Sequence, residues 1–461
     1  MLFSAVDFLF VFLPLTLGAF LALRRFAGVM AALGFLALAS VVFYGVWKPE
    51  YVPLLLGSVV ANYGVSRLLG PQRRRNRLAL AAGVAGNLGL LFWFKYASFV
   101  SVQLHAAGVL DSALAPKVLP LAISFFTFQQ IAYLVDVSRG QAKRVSLLKH
   151  LLFVSFFPHL IAGPITHPAT ILPQLDSLEP TWTRTALGVF VFAVGLAKKV
   201  AIADPLGRFV DPSFANPEAL AQVNAWAAVA AYTFQLYFDF SGYSDMAVGL
   251  GLLFGIQLPW NFYSPYKARS IAEFWRHWHV TLSDFLKNYL FIPLGGSRRG
   301  LGRTVLNLLL TMLLGGIWHG AGWTFVLWGV LHGTALSINH VWRSLGVPFP
   351  RPIGRILTLG VVLAGWVLFR SVSLDTATAI YRRMIGLEGR WMDEWDRGFN
   401  LALVYLVIAA GVAFVAPNTS QLASRFKPSL GWSLFGAALL AISMVLVLGQ
   451  LKPPEFLYFE F

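Results

Sequence analysis

The chain contains no cysteine, which excludes disulfides, thiol nucleophiles and cysteine-ligated metals. Charge is scarce too: 12% of the 461 residues are Asp, Glu, Lys or Arg, where a soluble domain carries about a quarter. Acids are the rarer sign, 20 against 36 lysines and arginines, for a formal net charge of +16. These cations sit in short connectors and not on one contiguous face, so they read as cytoplasmic loop charge, with no nucleic-acid partner expected. There is no soluble domain in view. The longest stretches without a span-like run are Thr166 to Arg184, Pro259 to Arg303 and Ser371 to Asn400, each short enough for a loop or surface helix. No internal repeat appears, which weighs against transporters built from repeated halves.

What fills the chain is apolar. Hydrophobic residues make up 57%, mean hydropathy is +0.68, and long apolar runs recur from Phe8 to Leu23 through to Ser433 to Leu448. At about 20 residues per crossing, these runs predict an all-α polytopic membrane protein of roughly 11 to 13 segments, some broken or re-entrant, forming one membrane-embedded domain over residues 1–461. Arg24 and Arg25 follow the first run, and Arg67, Arg73, Arg74, Arg75 and Arg77 follow the third. The positive-inside rule puts both connectors in the cytoplasm and the amino terminus outside. The first run follows Asp7, has no basic lead and no clear cleavage site, and reads as a retained span.

Within this apolar background the polar rings stand out. His319 lies between the runs Val305 to Leu314 and Phe325 to Leu331, in Gly315-Gly316-Ile317-Trp318-His319-Gly320-Ala321-Gly322-Trp323. An imidazole at membrane depth is costly unless it faces protein or a cavity, so it is a functional candidate, and it is the side chain suited to moving protons near neutral pH. Between Phe262 and Arg303 the residues Phe274, Trp278, Leu282, Phe285 and Tyr289 fall at helical spacing, with Arg276, His279, Ser283 and Lys287 on another face. This predicts one amphipathic or re-entrant helix. Either it lies at the interface as an anchor, or its polar face lines a cavity with His279 pointing inward.

The run Phe274-Trp275-Arg276-His277-Trp278-His279-Val280-Thr281-Leu282-Ser283, followed by Trp318-His319-Gly320 and Trp328-Gly329-Val330-Leu331-His332-Gly333, resembles the membrane-bound O-acyltransferase superfamily. Phe157-Pro158-His159-Leu160-Ile161-Ala162-Gly163-Pro164-Ile165, Tyr237-Phe238-Asp239-Phe240-Ser241-Gly242-Tyr243-Ser244-Asp245 and the opening Met1-Leu2-Phe3-Ser4 are similar to its bacterial branch of alginate O-acetyltransferases. The resemblance implies a helical shell around a thin central cavity in a bacterial inner membrane. An acyl donor, acetyl-coenzyme A, would enter from the cytoplasm as substrate, with no resident cofactor. The acceptor would be an extracytoplasmic polysaccharide, or a periplasmic partner protein that esterifies it. Related branches transfer D-alanine to teichoic acid or fatty acyl chains to lipids and proteins. His319 matches the signature histidine, and His279 the second polar position.

The chemistry suits these residues. Transfer from a thioester to a hydroxyl requires removal of the hydroxyl proton, which a neutral imidazole performs as general base, and His319 is the candidate. His279 is expected to orient it or to donate a hydrogen bond to the developing oxyanion. Trp318 and Trp323 flank His319 as pocket-lining candidates, and Arg276 accompanies His279. His332 lies thirteen residues beyond His319, roughly 140° around an unbroken helix, so the two are not expected to share a face. His159 precedes an Ala-Gly-Pro break and fits a hydrogen-bonded structural histidine as well as a site residue. Asp239, Ser241 and Tyr243 either shape the pocket or cap a break at Ser241-Gly242, with Asp245 beside them. Lys198-Lys199, Lys267-Ala268-Arg269 and Arg298-Arg299 fit cytosolic anchoring better than steering of coenzyme A phosphates.

No metal site is expected. His277 and His279 diverge by roughly 160° on a helix, and no HExxH spacing or G-x-S-x-G elbow is present. The competing class is a transporter or flippase using membrane histidines for a proton path. It would want carboxylates deep within spans, whereas Asp239 and Asp245 read as lying beside a glycine break.

Overall fold

The computed structural model describes residues 1–69, 73–392, 397–450 and 457. The side chains of Arg73, Arg74 and Arg75, anticipated as cytoplasmic charge, lie outside the described residues. Every regular element among the described residues is helical. Among the described residues, seven helical stretches are long and apolar enough to cross a membrane: Phe8–Phe26, Gly28–Gly45, Asn76–Ala106, Trp182–Ala215, Leu301–His319, Arg351–Arg370 and Leu430–Leu448. An eighth is a pair bent by 54°, Gly398–Phe414 with Thr419–Arg425. These are the helices of full crossing length, where the eleven to thirteen segments anticipated include shorter and broken ones. Some apolar runs fall in helices too short for the layer, such as Ile123–Ser138 with 16 residues. Others fall in helices long enough but not apolar enough, Gln222–Leu253 and Trp323–Ser344.

The chain divides into two compact units. The first comprises Met1–Val194, Tyr243–Pro259 and the stretch that begins at Lys427. Its first two spans pair through a turn at Gly28, whose φ of +86° is a conformation glycine adopts without a Cβ penalty. Phe3, Phe8, Phe43 and Phe157 pack their rings at centroid separations of 5.0–6.5 Å. Val52–Leu68 and Arg73–Leu91 are tied by reciprocal amide bonds, Asn87 Nδ2 donating to Asn62 Oδ1 at 2.6 Å and Asn62 Nδ2 to Asn87 Oδ1 at 3.2 Å. Such paired amides satisfy each other where lipid offers no partner. Along Leu430–Leu448 only Ser443 and Val447 are buried, which suits a helix facing lipid.

The second unit, Gly195–Gly242 and Trp260–Phe426, holds the histidine motifs. Its centre is a helical hairpin. Leu301–His319 ends at His319, the chain turns through Gly320–Gly322 in extended conformations, and Trp323–Ser344 runs back. Small residues let the two backbones touch: a Cβ on Gly329 would stand 2.5 Å from Met312 O and 2.9 Å from Leu313 Cα, and one on Gly333 3.1 Å from Leu309 Cα. A Cβ on Gly316 would collide with Phe325 O and one on Gly320 with the Phe325 ring. Gly329→Leu is therefore expected to lower the thermal unfolding midpoint in detergent, because backbone atoms cannot move aside as a side chain would; the overpacking cost is about 1–3 kcal/mol or more. An unchanged midpoint would show that the arms can separate freely.

The anticipated single amphipathic helix across Phe274 to Tyr289 is not formed. Ile271–Trp275 and Val280–Leu286 are separate short helices, followed by a π-helical turn at Lys287–Phe291. The break is at His279, whose φ of +41° is left-handed, an unfavourable state for a non-glycine residue that persists only when its surroundings impose it.

Candidate active site

What imposes the strained His279 backbone is Asn261, eighteen residues upstream. Val280 N donates to Asn261 O at 3.0 Å. The Asn261 carboxamide oxygen accepts from Thr281 N at 3.3 Å, from Thr281 Oγ1 at 3.0 Å and from His279 Nδ1 at 3.0 Å. A backbone N–H only donates, so the Asn261 atom it reaches is the oxygen, and Nδ1 of His279 must carry the proton. Nε2 of the neutral ring is then a lone-pair acceptor; it is buried and makes no hydrogen bond among the described residues. His279 is fully buried, its ring edge-on to Phe240 at 4.7 Å. The segment lies outside the candidate spans, and burial lowers its affinity for a proton. The oxyanion-donor role anticipated for His279 is thus unavailable to the neutral ring, which presents a base at Nε2.

His319 closes the first arm of the hairpin and is 5% exposed, so the ring faces protein and not lipid. Trp318, Trp328 and Phe369 surround it at centroid distances of 4.8, 5.1 and 5.1 Å. The expectation that His332 points elsewhere fails, because the helix it assumed to be continuous reverses at Gly320–Gly322. His332 lies 4.7 Å from the same Trp328 ring, so the two histidines flank one indole. Trp275 Nε1 donates to His332 Nδ1 at 3.3 Å. Trp278, next to His279, reaches Trp366 at 4.8 Å, and Trp366 lies 6.4 Å from Trp328. The three histidine motifs therefore meet on one aromatic cluster.

Arg276 is exposed and turns its Nε back to Ala272 O at 3.2 Å. Trp323 is 51% exposed. Tyr243 belongs to the first unit, stacked on Phe3 at 4.4 Å. His159 is also in the first unit, fully buried, its Nε2 3.0 Å from Phe153 O, which makes that nitrogen the donor. No helix break occurs at Ser241-Gly242: Gln222–Leu253 runs through without interruption. Gly242 instead allows close approach, since a Cβ there would stand 2.7 Å from Gly195 O. Asp239 and Asp245 are therefore buried within a continuous helix, which removes the contrast with transporters drawn from their placement. Ser241 is buried in the same helix.

The lysines correct a second expectation. Lys199, in a π-helical turn at Lys198–Ala203, is 3% exposed and pairs with Asp204 and Asp239, each at 2.7 Å. Lys198 Nζ donates to Thr419 Oγ1 at 2.7 Å, Lys267 Nζ to Ala416 O at 2.8 Å, and Arg269 pairs with Glu273. Lys198, Lys199 and Lys267 are thus held within the protein, whereas Arg269, Arg298 and Arg299 are exposed, as anchoring would need. Sequence reasoning missed Asn261, Trp275, Trp328 and Trp366. Trp275 and Trp328 stood in the quoted motifs, whereas Asn261 and Trp366 carried no local signal.

Residues 87–369, more than half of the chain, match the model of the membrane-bound O-acyltransferase family. The chain belongs to this family. It is a multi-pass membrane O-acyltransferase, and the transporter alternative is set aside. The chain is 42% identical over 424 residues to the peptidoglycan O-acetyltransferase of Helicobacter pylori, covering 84% of this chain and 80% of that one. It is 41% identical over 432 residues to a probable alginate O-acetylase of Pseudomonas aeruginosa, covering 89% and 81%. A probable alginate O-acetylase of Pseudomonas putida is 37% identical with both chains covered in full.

Asn261→Ala is expected to slow turnover, because it frees His279 to take the other tautomer and removes the hydrogen bonds that the carboxamide oxygen accepts from His279 Nδ1, Thr281 N and Thr281 Oγ1. Loss of the partner that fixes a histidine's tautomer is expected to cost about 10–100-fold. Asn261→Asp, which keeps the acceptor oxygen, should recover part of the rate. Equal activity of Asn261→Ala and the native protein would detach the carboxamide from the chemistry.

Proposed function

We propose that this family member moves an acetyl group from cytoplasmic acetyl-coenzyme A to a hydroxyl of an extracytoplasmic polysaccharide, directly or by way of a periplasmic partner. It would sit in a bacterial inner membrane with its amino terminus outside. Two observations of kinship support the acyl group and acceptor class: one relative is named for O-acetylation of peptidoglycan and others for that of alginate. The single structural observation that carries the reading is the pair of histidines, His319 and His332, buried around Trp328 beside a third, His279, whose tautomer is set by Asn261.

His319 acts as general base. As the acceptor hydroxyl oxygen attacks the thioester carbonyl carbon, its proton passes to the imidazole. The tetrahedral species then collapses, the carbon–sulfur bond breaks, and the proton follows to the departing thiolate. Such a base contributes about two to four orders of magnitude. The remainder comes from holding the reactants in register and from hydrogen bonds made strong in a site closed to water. A second reading, favoured by the Asn261 hydrogen bond, gives the base role to His279 Nε2.

The test is thiol release. Because the chain has no cysteine, a thiol reagent registers free coenzyme A without background from the enzyme. Protein in nanodiscs with acetyl-coenzyme A is expected to release thiol when alginate oligosaccharide or peptidoglycan fragments and the periplasmic partner are supplied. Release with no acetyl ester appearing on either acceptor or on the partner would refute the acceptor class, and no release with any of them would refute the donor.

A further inference from the structure

We propose that Nε2–H of His332 and Nε1–H of Trp328 form a two-donor cradle for the carbonyl oxygen of the acyl thioester. The proposal rests on the acyl-transfer reading above and assigns two residues to the charge that this reaction develops. Trp275 fixes the first donor. An indole N–H can only donate, so the contact from Trp275 Nε1 to His332 Nδ1 at 3.3 Å makes Nδ1 the acceptor, and the neutral ring must carry its proton on Nε2. That Nε2–H is fully buried and finds no acceptor among the described residues, and the same holds for the buried Nε1–H of Trp328. Buried donors are nearly always satisfied, so two orphans at one place require an account.

They are at one place. Gly365, in the Arg351–Arg370 helix, has both nitrogens against its bare face: a Cβ there would lie 2.6 Å from His332 Nε2 and 3.4 Å from Trp328 Nε1. Glycine at this position lets both nitrogens pack side by side against the helix, where any side chain would displace them. The His319 ring stands edge-on to the same Trp328 indole at 5.1 Å. Base and donors are thus grouped about one side chain. As the acceptor oxygen bonds to the carbonyl carbon, the carbonyl π electrons move onto oxygen and meet two preformed donors. When the carbon–sulfur bond breaks, the pair returns to re-form the carbonyl of the ester. A donor aimed at an oxyanion in a dry site is worth more than one in water because it is already oriented. His332 and Trp328 are catalytic residues in this scheme, and Trp275 is a positioning residue.

Trp328→Phe keeps the ring and deletes the N–H. Its kcat with acetyl-coenzyme A is expected to fall by about 10²–10³, with KM for the donor within about twofold. Gly365→Ala should lose as much by displacing His332. Trp275→Phe, which releases the His332 tautomer, should lose about tenfold to a hundredfold. A second measurement does not depend on turnover: the infrared carbonyl stretch of [1-13C]acetyl-coenzyme A bound to the His319→Ala variant should lie at lower frequency than in water and shift back when Trp328→Phe is added. Wild-type kcat in a folded Trp328→Phe protein, with an unmoved carbonyl stretch, overturns the cradle and leaves the acyl-transfer reading standing. A wild-type protein that neither binds nor cleaves acetyl-coenzyme A overturns both.

Discussion

Replacing His319 by glutamine or alanine is expected to lower kcat for acetyl transfer by about 10²–10⁴, equivalent to roughly 3–5 kcal/mol of transition-state stabilisation. Glutamine spans a similar volume and retains hydrogen bonding but has no basic nitrogen near neutral pH, so it separates proton transfer from packing. That separation matters because Trp318, Trp328 and Phe369 all rest on this ring. Unfolding midpoints close to the native value should accompany the lost activity. The parallel His279→Gln variant decides between the two bases: the larger fall marks the residue that takes the proton. Normal turnover by both His319 variants would transfer the base role to His279.

Substituting Lys199 by methionine should be the most destabilising single change in the second unit. The ammonium is held between Asp204 and Asp239, and all three side chains are almost fully buried. Removing the cation leaves two carboxylates facing each other out of water, and breaking a buried ion pair from one side costs about 3–5 kcal/mol. The membrane surroundings offer little relief, since ionised groups at such depth need a partner. Neutralising the carboxylates as well, in Lys199→Met/Asp204→Asn/Asp239→Asn, should recover much of the loss, because the penalty belongs to two like charges buried close together and not to the missing contact. Thermal unfolding in detergent, with size-exclusion monodispersity, reads both variants. Equal midpoints for native protein and Lys199→Met would mean that the triad contributes nothing.

The aromatic and histidine motifs were legible because each is a short local string. Their meaning in space was less so. His332 was placed away from His319 by counting degrees along a helix that does not exist past Gly320. The glycines at 320 and 322 were in view, but only the close fit of Gly329 against Met312 and Leu313 shows that the chain doubles back there. Asp239 and Asp245 were assigned to a helix end because Gly242 follows Ser241, whereas that glycine serves contact with Gly195 inside a continuous helix. Lys198, Lys199 and Lys267 read as surface charge because sequence position says nothing of which backbone lies opposite.

Composition and run length alone determined that this is a helical membrane protein: backbone groups in lipid must bond within their own segment, so about 20 apolar residues in succession leave few other outcomes. The same local strings carried the family resemblance and marked His319 and His279 as polar rings in an apolar setting. Tertiary structure decided the rest: that Asn261 fixes the proton of His279, that Trp275 fixes that of His332, that two histidines share Trp328, and that one lysine answers two carboxylates. Hydrogen-bond partners and counter-charges act over about 3 Å, and residues eighteen to fifty-seven positions apart reach that distance only after packing has chosen which helices touch.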